Sequence, residues 1–473
     1  MHCRHLQQVR GRRSFLRHWA AGLGIIALQQ LLERDGFAAG PMASRPPHFK
    51  ARAKAVIFLF MDGAPSQLDL FDPKPAMRQW NGQPLPDSMR KDLRFAFIKP
   101  TAKVWASPRV FKPHGESGLA FSDYLPHMAG CADDMAIIRS MFSDQFNHHP
   151  GQLMLHCGTP LVGRPSIGSW TLYGLGSESQ NLPGFIVLSS NHGSSASSGV
   201  FSNGFLPSTY QGVPFRSSGD PVLHLSNPPG FTSEDQRDRI AAVNDLNQQH
   251  YLDTGDAEIT ARMASYELAF RMQTAAPETL DIGKESAATL EAYGVNREPT
   301  RAFATNCLLA RRLVERGVRF ILLNHGSWDD HANLNKNLQK NCKITDQPIA
   351  ALIRDLKQRG LLEATLLVWG GEFGRTPLAE TGRAGEEDTL GRDHHPSGFT
   401  MWMAGGGIKA GYTLGRTDDF GLNVVEDKVH VHDLHATILH CLGLNHERLT
   451  FLYQGRNFRF TDVAGNVVHK LLA

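Results

Sequence analysis

Residues 55–61, AVIFLFM, are apolar without interruption, the pattern of a strand buried on both faces in a parallel sheet. GFIVLSS (184–190), VRFILLN (318–324), ATLLVWGG (364–371) and FTMWMAGG (399–406) repeat that pattern. Between them lie stretches with helical apolar spacing. RAFATNCLLARRLVERG (301–317) is one; LNKNLQKNCKITDQPIAALIRDLKQRG (334–360) is another, with a break expected near Pro348. HDLHATILHCLG (432–443) reads as a helix that opens on an Asp433 cap. Strands alternating with helices predict an α/β domain with a mainly parallel sheet.

Residues 160–240 are rich in Gly, Ser and Pro and read as long ordered loops around the strand GFIVLSS. Within them PSIGSWTLYGLG (165–176), with Trp170 and Tyr173, is expected to form a wall of the functional cavity; the alternative is a structural loop anchored by its aromatics. No fixed-period repeat and no low-complexity block interrupts the chain. The organisation expected is an export signal at 1–40, a linker at 41–54 and a single domain over 55–473 with loop insertions.

Composition narrows the field. The chain has 473 residues, 41% hydrophobic and 20% charged, with a formal charge of +3. Six of its arginines lie within residues 1–40 against Glu33 and Asp35, so the rest carries about −1. Without a basic face, nucleic acid is not an expected partner. GRRSFLRHWAAGLGIIALQQLL contains Arg12-Arg13 followed by a short apolar stretch, the form of a bacterial twin-arginine export signal. Its export machinery is thus an expected partner, and a periplasmic or secreted location is expected. The apolar part is too short and broken for a comfortable transmembrane helix, although an uncleaved anchor stays open. The six cysteines include no Cys-x-x-Cys pair; buried thiols with at most one or two bridges are expected.

The chemistry gathers where strands end. AVIFLFM runs into Asp62-Gly63; VRFILLN leads to HGSWDDH, with His325, Asp329, Asp330 and His331. ATLLVWGG is followed by Glu372 in GGEFGRTP, and His394 and His395 precede FTMWMA. Each piece has an ordinary reading. Asp-Gly is a common turn, WDDH a capped loop, Glu372 a partner for Arg375, and DHHP a solvated loop. Together, carboxylates and imidazoles delivered to the carboxyl edge of one sheet are the ligand set of a one- or two-metal site. The expected ligands are Asp62, Asp329, His331, Glu372, His394 and His395, holding one or two divalent ions: zinc, manganese or calcium.

FLFMDGAPSQLDLFDPKP, PSIGSWTLYGLGSESQNLPGF, WDDH, EFGRTP, GRDHHP and HDLHATILHCLG, with the twin-arginine start, resemble the secreted bacterial family called domain of unknown function 1501. That family is similar to the alkaline phosphatase/sulfatase superfamily. The resemblance implies a three-layer α/β/α sandwich with metal at the sheet edge. It also implies that Asp62, the DDHAN segment with His331, Glu372 and His395 occupy metal-binding positions, with His394 beside the last. Two departures stand out. Phe373 replaces the imidazole or amide that usually follows the third carboxylate. In NHHPGQLMLHCG, His148 stands where relatives place a Ser, Thr or Cys nucleophile, and Gln152 where an Arg is usual.

These features predict an exported metal-dependent hydrolase of phosphate or sulfate esters. Water activated by the metal would attack directly, with His148 facing the cavity in its neutral form, His149 in reserve, and Arg375 as an anion clamp. The expected partner is an anionic ester or glycan. The alternative is a non-catalytic metal protein that binds sulfated or phosphorylated glycans, and a purely structural exported protein is a third reading.

Overall fold

The computed structural model describes residues 42–473 except 91–92, 94, 100, 192–193, 217–219, 221, 223–224 and 381–388. The twin-arginine segment and Cys3 lie outside the described residues. The strands that frame the site are β1 (Ala55–Met61), β2 (Met135–Phe142), β3 (Phe185–Ser190), β4 (Val213–Phe215), β5 (Phe320–His325) and β6 (Thr365–Gly370). They continue with β7 (Gly374–Arg375), β8 (His394–His395), β9 (Phe399–Ala404), β10 (Tyr412–Leu414) and β11 (Val429–His430). The main helices are α1 (His148–Cys157), α2 (Ile167–Leu175), α3 (Ser233–Thr254), α4 (Ala257–Leu280), α5 (Arg301–Glu315), α6 (Leu334–Gln358) and α7 (Val431–Cys441).

The central sheet runs β10-β2-β9-β6-β1-β5-β3-β4, with β11 also on β2. All neighbours are parallel except β9, which runs against both β6 and β2. Strands β1, β5 and β6 are buried at every position. That follows from layers on both faces. Val56, Phe58 and Phe60 pack with Leu153 of α1, Trp170 of α2 and Leu434 of α7. Ile57, Leu59 and Met61 pack with Leu308 of α5 and Ile349 of α6 on the other side. The period-2 alternation of a strand thus feeds two separate cores and produces an α/β/α sandwich.

Several local expectations change. The helix α6 continues through Pro348. Proline removes one backbone bond, at roughly 3 kcal/mol. The buried stripe Ile344, Ile349, Ile353 and Leu356 spans the proline on both sides and offsets that cost. In α7 the N-cap is His430, and Asp433 completes a capping box by accepting from the His430 N–H. The region 160–240 contains α2 and the start of α3, and α3 lies along α4 as a helical hairpin.

PSIGSWTLYGLG is a helix, α2, capped by Ser166. Its aromatic rings meet Phe205, Tyr210 and Phe451. A Cβ on Gly168 would lie 2.4 Å from the Phe185 ring, so glycine lets α2 lie tight on β3. Trp170 and Tyr173 are engaged in this packing layer, as the structural reading expects, and not in a wall of the cavity. Cys131, Cys157, Cys307, Cys342 and Cys441 are all free and buried, so no bridge forms among the described residues. No helix among those residues is long and apolar enough to cross a membrane.

Candidate metal centre

The parallel strands β1, β2, β5 and β6 end on one edge, and β9, being antiparallel, begins there. Asp62 follows β1. Gly63 turns at φ +110°, and a Cβ there would sit 2.5 Å from the Asp329 nitrogen. Asp62-Gly63 is thus a turn whose glycine admits the loop after β5, and that loop carries Asp329 and His331. Helix α1 starts at His148 after β2, while β8 delivers His394 just before β9.

Four side chains from three segments converge: His148, Asp329, His331 and His394 each place a ligand atom within 4.8 Å of the others. Asp329 Oδ1 lies 3.1 Å from His148 Nε2, 3.0 Å from His331 Nε2 and 3.3 Å from His394 Nε2. The far nitrogen of each ring has its own acceptor. His148 Nδ1 is 2.6 Å from Glu372 Oε1, His331 Nδ1 is 2.6 Å from Glu380 Oε2, and His394 Nδ1 is 2.7 Å from the Phe146 carbonyl. With Nδ1–H donating in each ring, three Nε2 lone pairs and one carboxylate oxygen point to one place. Metal-binding histidines are held this way by carboxylates and carbonyls behind them. Four-coordinate zinc bonds of about 2.0–2.1 Å place ligand atoms about 3.3 Å from each other, a spacing close to the one seen here.

The site opens to solvent at Asp329, whose side chain is 43% exposed, while Glu372 is 0% exposed behind it. Burial alone would raise the Asp329 pKa, but in the metal-free protein the imidazoles of His148, His331 and His394 gathered on its carboxylate and the nearby Arg375 hold it far below the usual carboxylate range. Burial opposes charge on His148, yet Asp329 and Glu372 outweigh it and raise its pKa to about 9. The neutral His148 expected at a helix N-terminus is therefore not the metal-free form, because two carboxylates favour the imidazolium more than the helix end disfavours it. Burial also opposes charge on His331, and Asp329 and Glu380 raise its pKa overall; His394 is lowered, chiefly by burial.

The remaining predicted residues occupy other positions. Asp62 is set back from the cluster, where the Gln152 amide donates to it and, at 3.1 Å, to Glu372. The Gln152 carbonyl is fixed by Ser194, Ser195 and the Ala196 N–H at 2.7–2.9 Å. One amide thus bridges the Asp62 and Glu372 carboxylates. Burial, then the Glu372 charge, pushes Asp62 up to about 7. Glu372 supports His148 and receives the Gly63 N–H at 3.3 Å. His395 turns away from the cluster: it is buried, and its Nε2 lies 2.7 Å from the Leu422 carbonyl. His149 is exposed and outside the cluster. Arg375 is fully buried. Its guanidinium donates to the backbone carbonyls of Gly63, Ala64 and Arg392 and, at 2.7 Å, to Asp329. It positions Asp329 and has no face left for a substrate anion. Its ion pair is with Asp329, not with Glu372.

Glu380 is the supporting residue that the sequence did not reveal. Phe373, in the place of a lost imidazole, packs its ring 5.1 Å from His148 and 4.7 Å from His394 and walls the cluster. His325 ends β5 with its Nδ1 3.0 Å from Ser190 Oγ, away from the four converging groups.

Comparison with known proteins places the chain in a family. It is similar to the lipoteichoic acid synthase LtaP of Listeria monocytogenes, at 9% identity and a TM-score of 0.35, covering 89% of this chain and 78% of that one. Similarity to the PsFucS1 sulfatase of Pseudoalteromonas sp. is 11% identity with a TM-score of 0.34, over 89% and 71% of the two chains. For the alkaline phosphatase of the Antarctic bacterium TAB5 the figures are 10% and 0.30, over 75% and 92%. Likeness at this level carries no chemistry with it. No curated protein gives a significant match to the chain. A family model described as "Protein of unknown function (DUF1501)" matches residues 53–472, and the chain belongs to that family.

Proposed function

We propose that this protein is a divalent-metal-dependent hydrolase of phosphate or sulfate esters. The observation that carries the reading is the set of three imidazoles, each backed at Nδ1 by an acceptor, whose Nε2 atoms gather around Asp329 Oδ1. His148, Asp329, His331 and His394 would hold the ion. A set of three nitrogens and one oxygen suits zinc or manganese and suits calcium poorly, since calcium takes oxygen ligands. The Gln152 amide between Asp62 and Glu372 favours one ion over two. Such an ion would supply Lewis-acid polarisation of the ester oxygens.

The protein's own groups have separate tasks. Arg375 and the Gly63 turn hold Asp329 in place; Glu372 and Glu380 fix the ring orientations of His148 and His331. With Nδ1 on Glu372 and Nε2 in the cluster, His148 has no free nitrogen for covalent catalysis. The reading is therefore hydrolysis by direct attack of water without a covalent enzyme intermediate. The Arg12-Arg13 segment supports export to the periplasm, which the double substitution Arg12→Lys with Arg13→Lys would abolish in a cell-fractionation assay.

The test has two steps. Metal analysis of protein purified without a His tag should give about one ion per chain, by the single-site reading. The loaded protein and Asp329→Asn should then be compared on a panel of aryl phosphates and sulfates, with turnover expected for the former and lost in the latter. Bound metal with no turnover on any ester would move the reading to a protein that binds sulfated or phosphorylated glycans.

A further inference from the structure

A pocket of about 650 Å³ shares a wall with the histidine cluster. Glu380, engaged with His331, and Phe97 line it on the side of the cluster. The Phe97 ring stands 5.4 Å from the His331 ring and 5.5 Å from that of His394, and the residue is 62% exposed. Its main chain is anchored, because its N–H donates to Asp393 Oδ2 at 2.7 Å. An exposed aromatic fixed beside a polar cluster is a platform for a ring. Trp105 lines the pocket, and at its rim are Lys99 and Lys103, both exposed. Neither ammonium has a hydrogen bond or ion pair among the described residues, although exposed lysines elsewhere, such as Lys357 with Asp134, do.

The cavity exceeds what the single ester group at the cluster needs. Among the described residues that line it the one carboxylate, Glu380, is already paired, and the two lysines are its charged groups without a partner. We propose that this pocket is a subsite for a second ring of the substrate, one that bears its own anionic group. The ring rests on Phe97, and Lys99 and Lys103 meet the anion. The substrate class is then a polyanionic ester, on a sugar or an aryl framework, and not a minimal monoester. This rests on the hydrolase reading for the reacting group only; the subsite itself is a matter of binding.

The experiment measures affinity by calorimetry with the metal-loaded full chain. The probes are a disaccharide with one sulfate on each ring, the same disaccharide with a single sulfate, and biphenyl disulfate. The doubly sulfated disaccharide should bind more tightly than the singly sulfated one. In Lys99→Ala/Lys103→Ala that preference should fall about 2- to 30-fold, the scale of two exposed ion contacts. Phe97→Ala should weaken both sugars and leave their ratio in place. Tighter binding of biphenyl disulfate would assign the pocket to an aryl framework; tighter binding of the sugar assigns it to a glycan. Equal affinity for one and two sulfates, or a double variant that keeps the full preference, would overturn the proposal. Product analysis of the same mixtures reports separately on hydrolysis, so a preference without cleavage would leave the subsite standing and would count against hydrolysis of these sulfate esters alone, the ester panel deciding the hydrolase reading.

Discussion

His331 Nε2 and His394 Nε2 lie 3.0 Å apart, although 63 residues separate the two in the chain. Each ring's other nitrogen is taken, by Glu380 and by the Phe146 carbonyl. Two lone pairs facing at that distance repel unless a proton or a cation lies between them. Zinc should therefore stabilise the protein. At free zinc one hundred times the dissociation constant, the gain is about 2.7 kcal/mol. It should appear as a higher urea midpoint. His331→Ala with His394→Ala should show no zinc-dependent shift, and a full shift in that variant would remove both from the site.

Among the described residues Glu380 meets the cluster through His331 Nδ1. Glu380→Gln keeps the shape but weakens that acceptor and ceases to favour the ligating tautomer. Metal affinity should drop about 10- to 100-fold, the usual effect of altering the partner behind a metal-bound histidine. Competition with a chelator of known affinity measures it. An unchanged affinity would mean that Glu380 is a surface ion-pair partner and nothing more.

His395 makes the opposite case. It is buried and lies 2.7 Å from the Leu422 carbonyl, on the far side of its strand from the cluster. His395→Ala should cost about 1–3 kcal/mol for the unpaired carbonyl, with a further loss from the cavity. Metal content should stay at the wild-type level. A stable variant that has lost its metal would return His395 to the ligand set.

Those two neighbours show how far the sequence could be read. His394-His395 was legible as a pair of candidate site residues, but adjacent positions on an extended backbone face opposite ways. Nothing in DHHP says which one turns inward. Strands β1, β5, β6 and β9 announced themselves as unbroken apolar runs, and the edge they share followed. Strand β2 did not, because Arg139 and Ser140 interrupt MAIIRSMF. Asp62, Asp329, His331 and Glu372 were found at strand ends, yet only two of the four lie in the converging set. The difference is made by Gln152, whose amide occupies the space between Asp62 and Glu372, and a long-range amide contact leaves no spacing signal. Arg375 was placed near the site, but the carbonyls that consume its donors belong to turns whose geometry is set by the fold.

His156, outside the site, sets a pH dependence. It is buried in α1 between the rings of Phe58 and Phe60, at 5.2 and 4.5 Å, and its Nε2 has no partner. Burial lowers its pKa to about 3 from an ordinary value near 6.5. Between those values the unfolded chain takes up a proton that the native protein refuses. Stability from this residue is therefore full above pH 6.5 and is lost as pH falls, by about 1.4 kcal/mol per unit. Asp62 and Asp330, both raised to about 7 with burial as the main cause, act in the opposite direction over the acidic range, so the total curve does not isolate the effect. A difference does. In His156→Leu, which removes the titrating ring and keeps an apolar side chain, this pH dependence vanishes. The stability of wild type minus that of the variant should be flat above pH 7 and decline by about 1.4 kcal/mol per unit from pH 6 to pH 4. Urea unfolding at stepped pH measures both. A difference that stays constant over that range would mean that His156 accepts its proton in the native state.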